Sequence, residues 1–447
     1  MDTPVYDFVK AYADSEALRL HMPGHKGKGF FLCDKYDITE FDGADVLYHE
    51  TGILKRSEEN AARLFSSKKT LYSAEGSSLC IRAMLTLIKK EAELRGRKPL
   101  IAAGRNAHKV FTTAAALLDI DVNPIYPENE GSLVSAKISP SYLREFLEAS
   151  DILPTAVYIT SPDYIGNIAD IKGLSEVCRE KGVLLAVDNA HGAYLGFLPE
   201  NKHPIKLGAD ICCDSAHKTL PVLTGGAYLH ISENAPEAFF ENAESSMSLF
   251  ASTSPSYLIL ASLDYCNKYL EENFRNELKS LIQKLNRLKS SLTDKGYAVS
   301  GDEEIKLTIC TKKYGYTGLE FSEILKEKGI ICEFYDPDFV VMMFTPFVTD
   351  EELLYLENVL KAIPKKEEIK TTFPILPRPE IAMSARAALF LPSETIRAEN
   401  AVGRILSSPS VMCPPAVPVA VSGERISEEA VSLFKYYGIE EISVIKE

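Results

Sequence analysis

Between residues 100 and 231, short apolar runs alternate with helix-length amphipathic segments, and no other feature narrows the possible folds as much. Leu100-Ile101-Ala102-Ala103 reads as a buried strand, 109–118 as a helix and 123–126 as a short strand. A helix at 140–149 follows, with Pro140 in its first turn, where a missing N–H costs nothing. Next come a strand at 156–160, a helix at 171–181, a strand at 183–188, and apolar runs at 209–213 and 227–231. Strands that are apolar on both faces and separated by helices form a mostly parallel sheet covered on both sides. The expected fold class is therefore α/β, and its ligand belongs at the C-terminal ends of the strands.

Four polar groups fall at such ends: Arg105 to Lys109, Thr160 to Tyr164, Asp188 to His191, and Ser215 to Lys218. A fifth segment, Tyr72-Ser73-Ala74-Glu75-Gly76-Ser77-Ser78, runs from a short extended piece into an amphipathic helix at 78–94. Small and hydroxylated residues at a helix start leave backbone N–H groups available for a phosphate. Neither GxGxxG after a strand nor GxxxxGK[ST] is present, so no nucleotide fingerprint competes.

The remainder of the chain has a different character. Residues 1–50 read as an N-terminal arm, 51–290 as the large domain, 291–370 as a small α+β domain and 371–447 as a C-terminal domain. His21 and His25 have the spacing of a helical metal site, but Pro23 and Gly24 stand between them, and no metal is expected. Residues 258–292 read as a long helix broken near 270; strands are expected at 305–311, 330–335 and 339–344 around a helix at 318–328.

Composition removes several function classes. The 447-residue chain carries 49 basic and 63 acidic residues, a formal net charge of −14, which argues against a nucleic-acid or anionic-membrane surface and suits a cationic small molecule. Nine cysteines without a CxxC read as reduced thiols, and no run of about 18 apolar residues or secretory h-region occurs, so a cytoplasmic protein is expected.

A lysine between small and hydroxylated residues at a strand end suits a Schiff-base nucleophile, and its neighbours supply what pyridoxal phosphate requires. Lys218 is the candidate for the aldehyde, Asp188 for the ring nitrogen and His108 for stacking on the ring. Gly76, Ser77 and Ser78, with Ser215 or His217, are candidates for the phosphate, and His191 lies at the same strand end as Asp188.

These motifs resemble the Orn/Lys/Arg decarboxylase family of fold-type-I pyridoxal-phosphate enzymes, in its short form without an N-terminal wing. The resemblance runs nearly end to end, through LRLHMPGHKGKGF (18–30), EGSS (75–78), RNAHK (105–109), TSPDYIG (160–166), VDNAHGAY (187–194), DSAHKTLP (214–221), STSPSY (252–257) and PPAVPVAVSGE (414–424). It implies that Lys218 is the Schiff-base lysine, Asp188 the partner of the pyridine nitrogen and His108 the stacking histidine, with Ser77, Ser78, Ser215 and His217 around the phosphate. It also implies that the loop with Thr253 and Ser254 reaches a neighbouring subunit's cofactor, hence a homodimer or larger assembly. The expected reaction is decarboxylation of arginine, lysine or ornithine within polyamine metabolism, with Lys218 or His217 returning a proton to Cα. Glu424 and Asp163 are candidates for the distal cation of the substrate. Arg386 is a candidate for an α-carboxylate, which would suit the rival reading of an aminotransferase; a weakly active regulatory homologue is the rival of another class. Three departures stand out: Asn189 where the family has Glu, Gly225 where it has Gln, and Cys413-Pro414-Pro415-Ala416 with Ser422-Gly423-Glu424 in place of its C-terminal motif. They bear on the substrate more than on the reaction.

Overall fold

A computed structural model describes residues 1–49, 51–128, 135–370, 376–412 and 417–447. The chain divides into two compact units: Met1–Leu100 with Ile152–Ile159 and Ile171–Asn276, and Ile101–Asp151 with Thr160–Asp170 and Glu277–Glu447. The large sheet has seven strands: β1 (Lys69–Ser73), β2 (Leu100–Gly104), β3 (Asp121–Ile125), β4 (Ala156–Thr160), β5 (Leu184–Asp188), β6 (Ile211–Asp214) and β7 (Ala227–Ile231). Their order is β1-β7-β6-β5-β4-β2-β3. The expected α/β class with a mostly parallel sheet is what the chain adopts.

In the first unit, β5 and β6 run parallel with Ala186 opposite Ile211 and Asp188 opposite Cys213. β7 is antiparallel to both β6 and β1. Every residue of β5, β6 and β7 is buried, as expected for a sheet covered on both faces. The expected helix at 78–94 spans Ser77–Leu94. Polar Asp121 and half-buried Val122 open β3, so its apolar content marked only its end.

The helix expected to break near 270 does so through a π-helical turn, Leu270–Phe274, between α-helices Tyr257–Tyr269 and Arg275–Asp294. The N-terminal helix Pro4–Asp14 is tied to the first of these. The Val5 and Tyr6 backbone N–H groups both donate to Asp264 Oδ2 at 2.9 Å, which satisfies donors that a helix start leaves without partners. Ser57 Oγ donates to the other oxygen of the same carboxylate.

The second unit holds a four-stranded sheet of β8 (Val299–Ser300), β9 (Lys306–Cys310), β10 (Phe334–Tyr335) and β11 (Phe339–Met343), in the order β10-β11-β9-β8. β10 is shorter than the 330–335 run because Ile331 is exposed and only Phe334 and Tyr335 pair with β11. The helices Gly318–Glu327 and Asp350–Ala362 start at capping boxes, Thr317 with Glu320 and Thr349 with Glu352. Strands Ser393–Arg397 and Glu441–Ile445 pair with each other, as do Ser410–Met412 and Pro418–Val421. Among the described residues no helix is long and apolar enough to cross a membrane.

Burial raises the Asp264 carboxyl to about 6, against the bonds from Ser57, Tyr6 and Val5 that favour its ionised form. A folded-state value above the unfolded one means that the native protein binds this proton more tightly. Stability from this group therefore rises as pH falls from about 6 toward the unfolded value of about 4. Denaturant titrations across that window should show Asp264→Asn with a flatter pH slope than the parent; parallel slopes would assign the proton elsewhere.

Candidate active site

β6 ends at Asp214, and Ser215 then turns the chain into a single helical turn, Ala216–Thr219, which carries Lys218. The turn is pinned at its start by His217, whose N–H and ring Nδ1 both meet Gly226 O, at 3.2 and 3.0 Å. A carbonyl only accepts, so Nδ1 carries the proton, and Nε2 is the basic atom of the neutral ring. Half-buried Lys218 places Nζ 3.0 Å from Nε2 of buried His191.

Ser215 Oγ donates to Ser77 Oγ at 2.8 Å, which joins the lysine turn to the start of the helix Ser77–Leu94. Gly76 precedes that helix at φ 72°, and its N–H donates to Gly225 O at 2.7 Å. A side-chain carbon at Gly76 would meet no atom nearer than Ser78 N at 3.9 Å, so the space before the helix start is open. Buried Thr219 Oγ1 has no hydrogen-bond partner among the described residues. Open space at a long helix's N-terminus, two facing hydroxyls and an orphaned third suit a phosphate.

Asp188, the last residue of β5, is buried. Its Oδ2 accepts from Tyr158 OH at 3.2 Å, and its Oδ1 accepts from Ala190 N at 3.2 Å and faces Cys213 Sγ at 3.7 Å. These neutral donors hold the carboxyl group in place. Residues present thus fit pyridoxal phosphate: an amine, a carboxylate and a hydroxylated helix start. Ser78 is half-buried at the same helix start. In the 252–254 loop, Ser252 N donates to Glu75 Oε1 at 2.7 Å, whereas Thr253 and Ser254 are exposed.

The remaining candidates lie in the second unit. His108 is half-buried and caps the helix Lys109–Leu118, its Nδ1 accepting from Val110 N at 3.3 Å. Glu424 and Arg105 form a buried two-pronged pair, Nη1 to Oε1 at 2.6 Å and Nη2 to Oε2 at 2.7 Å. Both Glu424 oxygens are therefore engaged inside the protein, a partnership the sequence did not suggest. Asp163 accepts from Asn167 N and Nδ2, each at 2.8 Å, and burial raises its carboxyl. Arg386 donates to the carbonyls of Ala116 and Leu117 at 2.9 and 3.0 Å, at the C-terminal end of the helix Lys109–Leu118. A cavity of about 240 Å³ is bordered by Arg105, Phe111, Arg386 and Glu424. The 413–416 part of the C-terminal motif lies outside the described residues.

Gly225 sits at φ 102°, and a side-chain carbon there would approach Ala74 O to 2.9 Å and Ile259 Cδ1 to 3.2 Å. Its effect runs through the backbone around Gly76. The Gly225→Gln variant should lose about 1–3 kcal/mol of stability through its left-handed backbone and the clash with Ala74. An unchanged denaturation midpoint would remove that account.

A model of the family described as Orn/Lys/Arg decarboxylase, major domain, matches residues 3–310. The arginine decarboxylase of Bacillus subtilis (strain 168) is 28% identical, covering 97% of this chain and 93% of its own length. That of Halalkalibacterium halodurans is also 28% identical, covering 95% of this chain and 91% of its own. The crystal structure of the Francisella novicida lysine decarboxylase superposes with a TM-score of 0.81 at 18% identity, over 99% of this chain and 81% of that one. At that identity the likeness is one of fold, the fold-type-I architecture of pyridoxal-phosphate enzymes.

Proposed function

The chain belongs to the Orn/Lys/Arg decarboxylase family and is a pyridoxal-phosphate-dependent amino-acid decarboxylase, and we propose that it converts arginine, lysine or ornithine to the amine and carbon dioxide. The observation that carries the reading is the lysine turn itself, with Lys218 Nζ 3.0 Å from His191 and Ser215 bonded to the helix start at Ser77.

When bound, the cofactor supplies a protonated, electron-withdrawing ring that accepts the electron pair of the breaking Cα–carboxylate bond. Lys218 would hold the cofactor's aldehyde carbon, and His191, 3.0 Å from Nζ, would take or give the proton there. Asp188, fixed by Tyr158 and the Ala190 N–H, would keep the ring nitrogen protonated. Ser77, Ser78, Ser215 and Thr219 would bind the phosphate, with His217 as a further candidate. By family resemblance His108 would be the ring-stacking histidine. Either Lys218 or His217 returns a proton to Cα, and the basic Nε2 of His217 suits it to carry that proton.

The relatives called arginine decarboxylases favour arginine among the three substrates, and the net charge of −14 suits a cationic one. Arg386 is engaged with two backbone carbonyls, which weakens the case for a transaminase carboxylate site. The reading includes a homodimer in which exposed Thr253 and Ser254 approach the neighbouring cofactor, a role in polyamine supply, and a cytoplasmic setting suited to buried free thiols such as Cys80 and Cys212.

Incubation of the protein and pyridoxal phosphate with each basic amino acid should release carbon dioxide and one amine, with arginine turned over fastest. Keto-acid formation instead would sink the decarboxylase assignment. Lys218→Ala should lower kcat by at least about 10³-fold, and borohydride treatment of the parent should leave a pyridoxyl group on Lys218.

A further inference from the structure

Behind the lysine turn lies a buried group that the reaction does not use. In the parallel pair β5–β6, Asp188 stands opposite Cys213, and the two side chains approach each other on one face. One residue further along each chain, side chains turn to the opposite face. There Asn189 Nδ2 donates to Asp214 Oδ1 at 2.7 Å. The other oxygen of Asp214 lies 3.0 Å from His203 Nε2 and 3.4 Å from His230 Nε2, and all three side chains are 0% exposed. His230 Nδ1 is held in turn by Thr70 Oγ1 of β1 at 2.8 Å. Phe65 closes the group, with ring centroids 5.3 Å from His203 and 4.5 Å from His230.

We propose that Asn189, Asp214, His203 and His230 are positioning residues for the cofactor. Asn189 and Asp214 join the strand ends bearing Asp188 and the Ser215–Lys218 turn, and the two histidines hold the Asp214 anion in place. The proposal rests on the cofactor reading above. Its geometric basis is adjacency: Asn189 follows the carboxylate assigned to the ring nitrogen, and Asp214 precedes the hydroxyl bonded to Ser77. A shift of either residue displaces one end of the cofactor site relative to the other.

The charge state follows from the surroundings. Burial alone would raise the Asp214 carboxyl, but His203 and His230 beside it overcome that and hold the group below the ordinary carboxylate range. Burial lowers His230, against the pull of Asp214. Among the described residues, Cys80, Cys212, Cys213 and Tyr228 also feel Asp214; all are buried, and burial raises each of them. The Asn189 amide has no charge to add, so its N–H can bind an ionised Asp214.

Asn189→Asp is nearly isosteric and puts a carboxylate against a carboxylate, which can stay together only by sharing a proton. Cofactor dissociation, followed by the visible absorbance of pyridoxal phosphate during dialysis, should be at least about tenfold faster than in the parent at about pH 8.5 and approach the parent rate near about pH 6. The parent should show no such dependence. Asn189→Asp with Asp214→Asn restores the hydrogen bond with its polarity reversed and should remove the dependence. Cofactor retention by Asn189→Asp matching the parent at every pH would overturn the proposal. So would one equivalent of divalent metal in the purified protein, because the three ligand atoms lie within 4.8 Å of one another. Thermal melting of the cofactor-free proteins over the same pH range separates the two readings. A parent that takes up no pyridoxal phosphate ends the decarboxylase reading, while an alkaline loss of stability confined to Asn189→Asp still reports the Asn189–Asp214 contact.

Discussion

The parallel pairing of β5 with β6 is the constraint on which the candidate site depends. It sets Asp188 opposite Cys213, so that two chain segments distant in sequence end at the same level of the sheet. From that level β5 continues toward His191, and β6 continues through Ser215 into the turn that carries Lys218. The contact between Lys218 and His191 is a consequence of this register. Because side chains alternate along a strand, a slip of one residue would exchange the faces of Asp188 and Asn189. The Asp188 carboxylate would then point into the histidine cluster.

β7 completes the arrangement from the other side. It returns antiparallel to β6 and bonds to β1, which leads into Gly76 and Ser77. The Gly76 N–H meets Gly225 O directly, so the lysine loop and the helix start hold each other through the main chain. A side-chain carbon at Gly225 would approach Ala74 O to 2.9 Å, and the positive φ there favours glycine independently. This part of the candidate site is therefore built largely from backbone and small hydroxyls, groups that can bind a phosphate without adding titratable charge.

Buried charge in the second unit follows a different economy. Arg105 with Glu424, and Lys306 with Glu303 at 2.5 Å, are enclosed pairs. Lys312, Asp338 and Tyr436 form a third group, with contacts of 2.6 to 2.8 Å. Removing one member of such a pair strands the other in a medium that solvates it poorly, which costs far more than an exposed pair contributes. Glu424 shows how this alters a functional reading. An acid that is a candidate for a substrate cation has both oxygens on Arg105, three residues before His108 in the chain.

Local pattern carried a large share of the result. Apolar runs such as 184–188 and 209–213 are unambiguous because a strand buried on both faces admits few polar residues, and Lys218, Asp188 and Ser77 stand out as exceptions at strand and helix ends. The π-helical turn at Leu270–Phe274 was likewise legible as an interruption of a long amphipathic stretch. The cluster of His203, Asp214 and His230 was not. Its members are 11 and 16 residues apart along the chain, and the only local sign was Asp214, a charge closing an otherwise apolar strand. A buried carboxylate must have partners, but which partners is a matter of what β7 and the segment after β5 bring alongside. By itself the sequence determined the α/β alternation and the chemistry that Lys218 and its neighbours can support, because these depend on residue type and spacing along the chain. Only the tertiary structure decided that Asn189 bonds Asp214, that Gly225 answers to Ala74 and that Glu424 is taken by Arg105, because each depends on the distance between residues that only folding brings together.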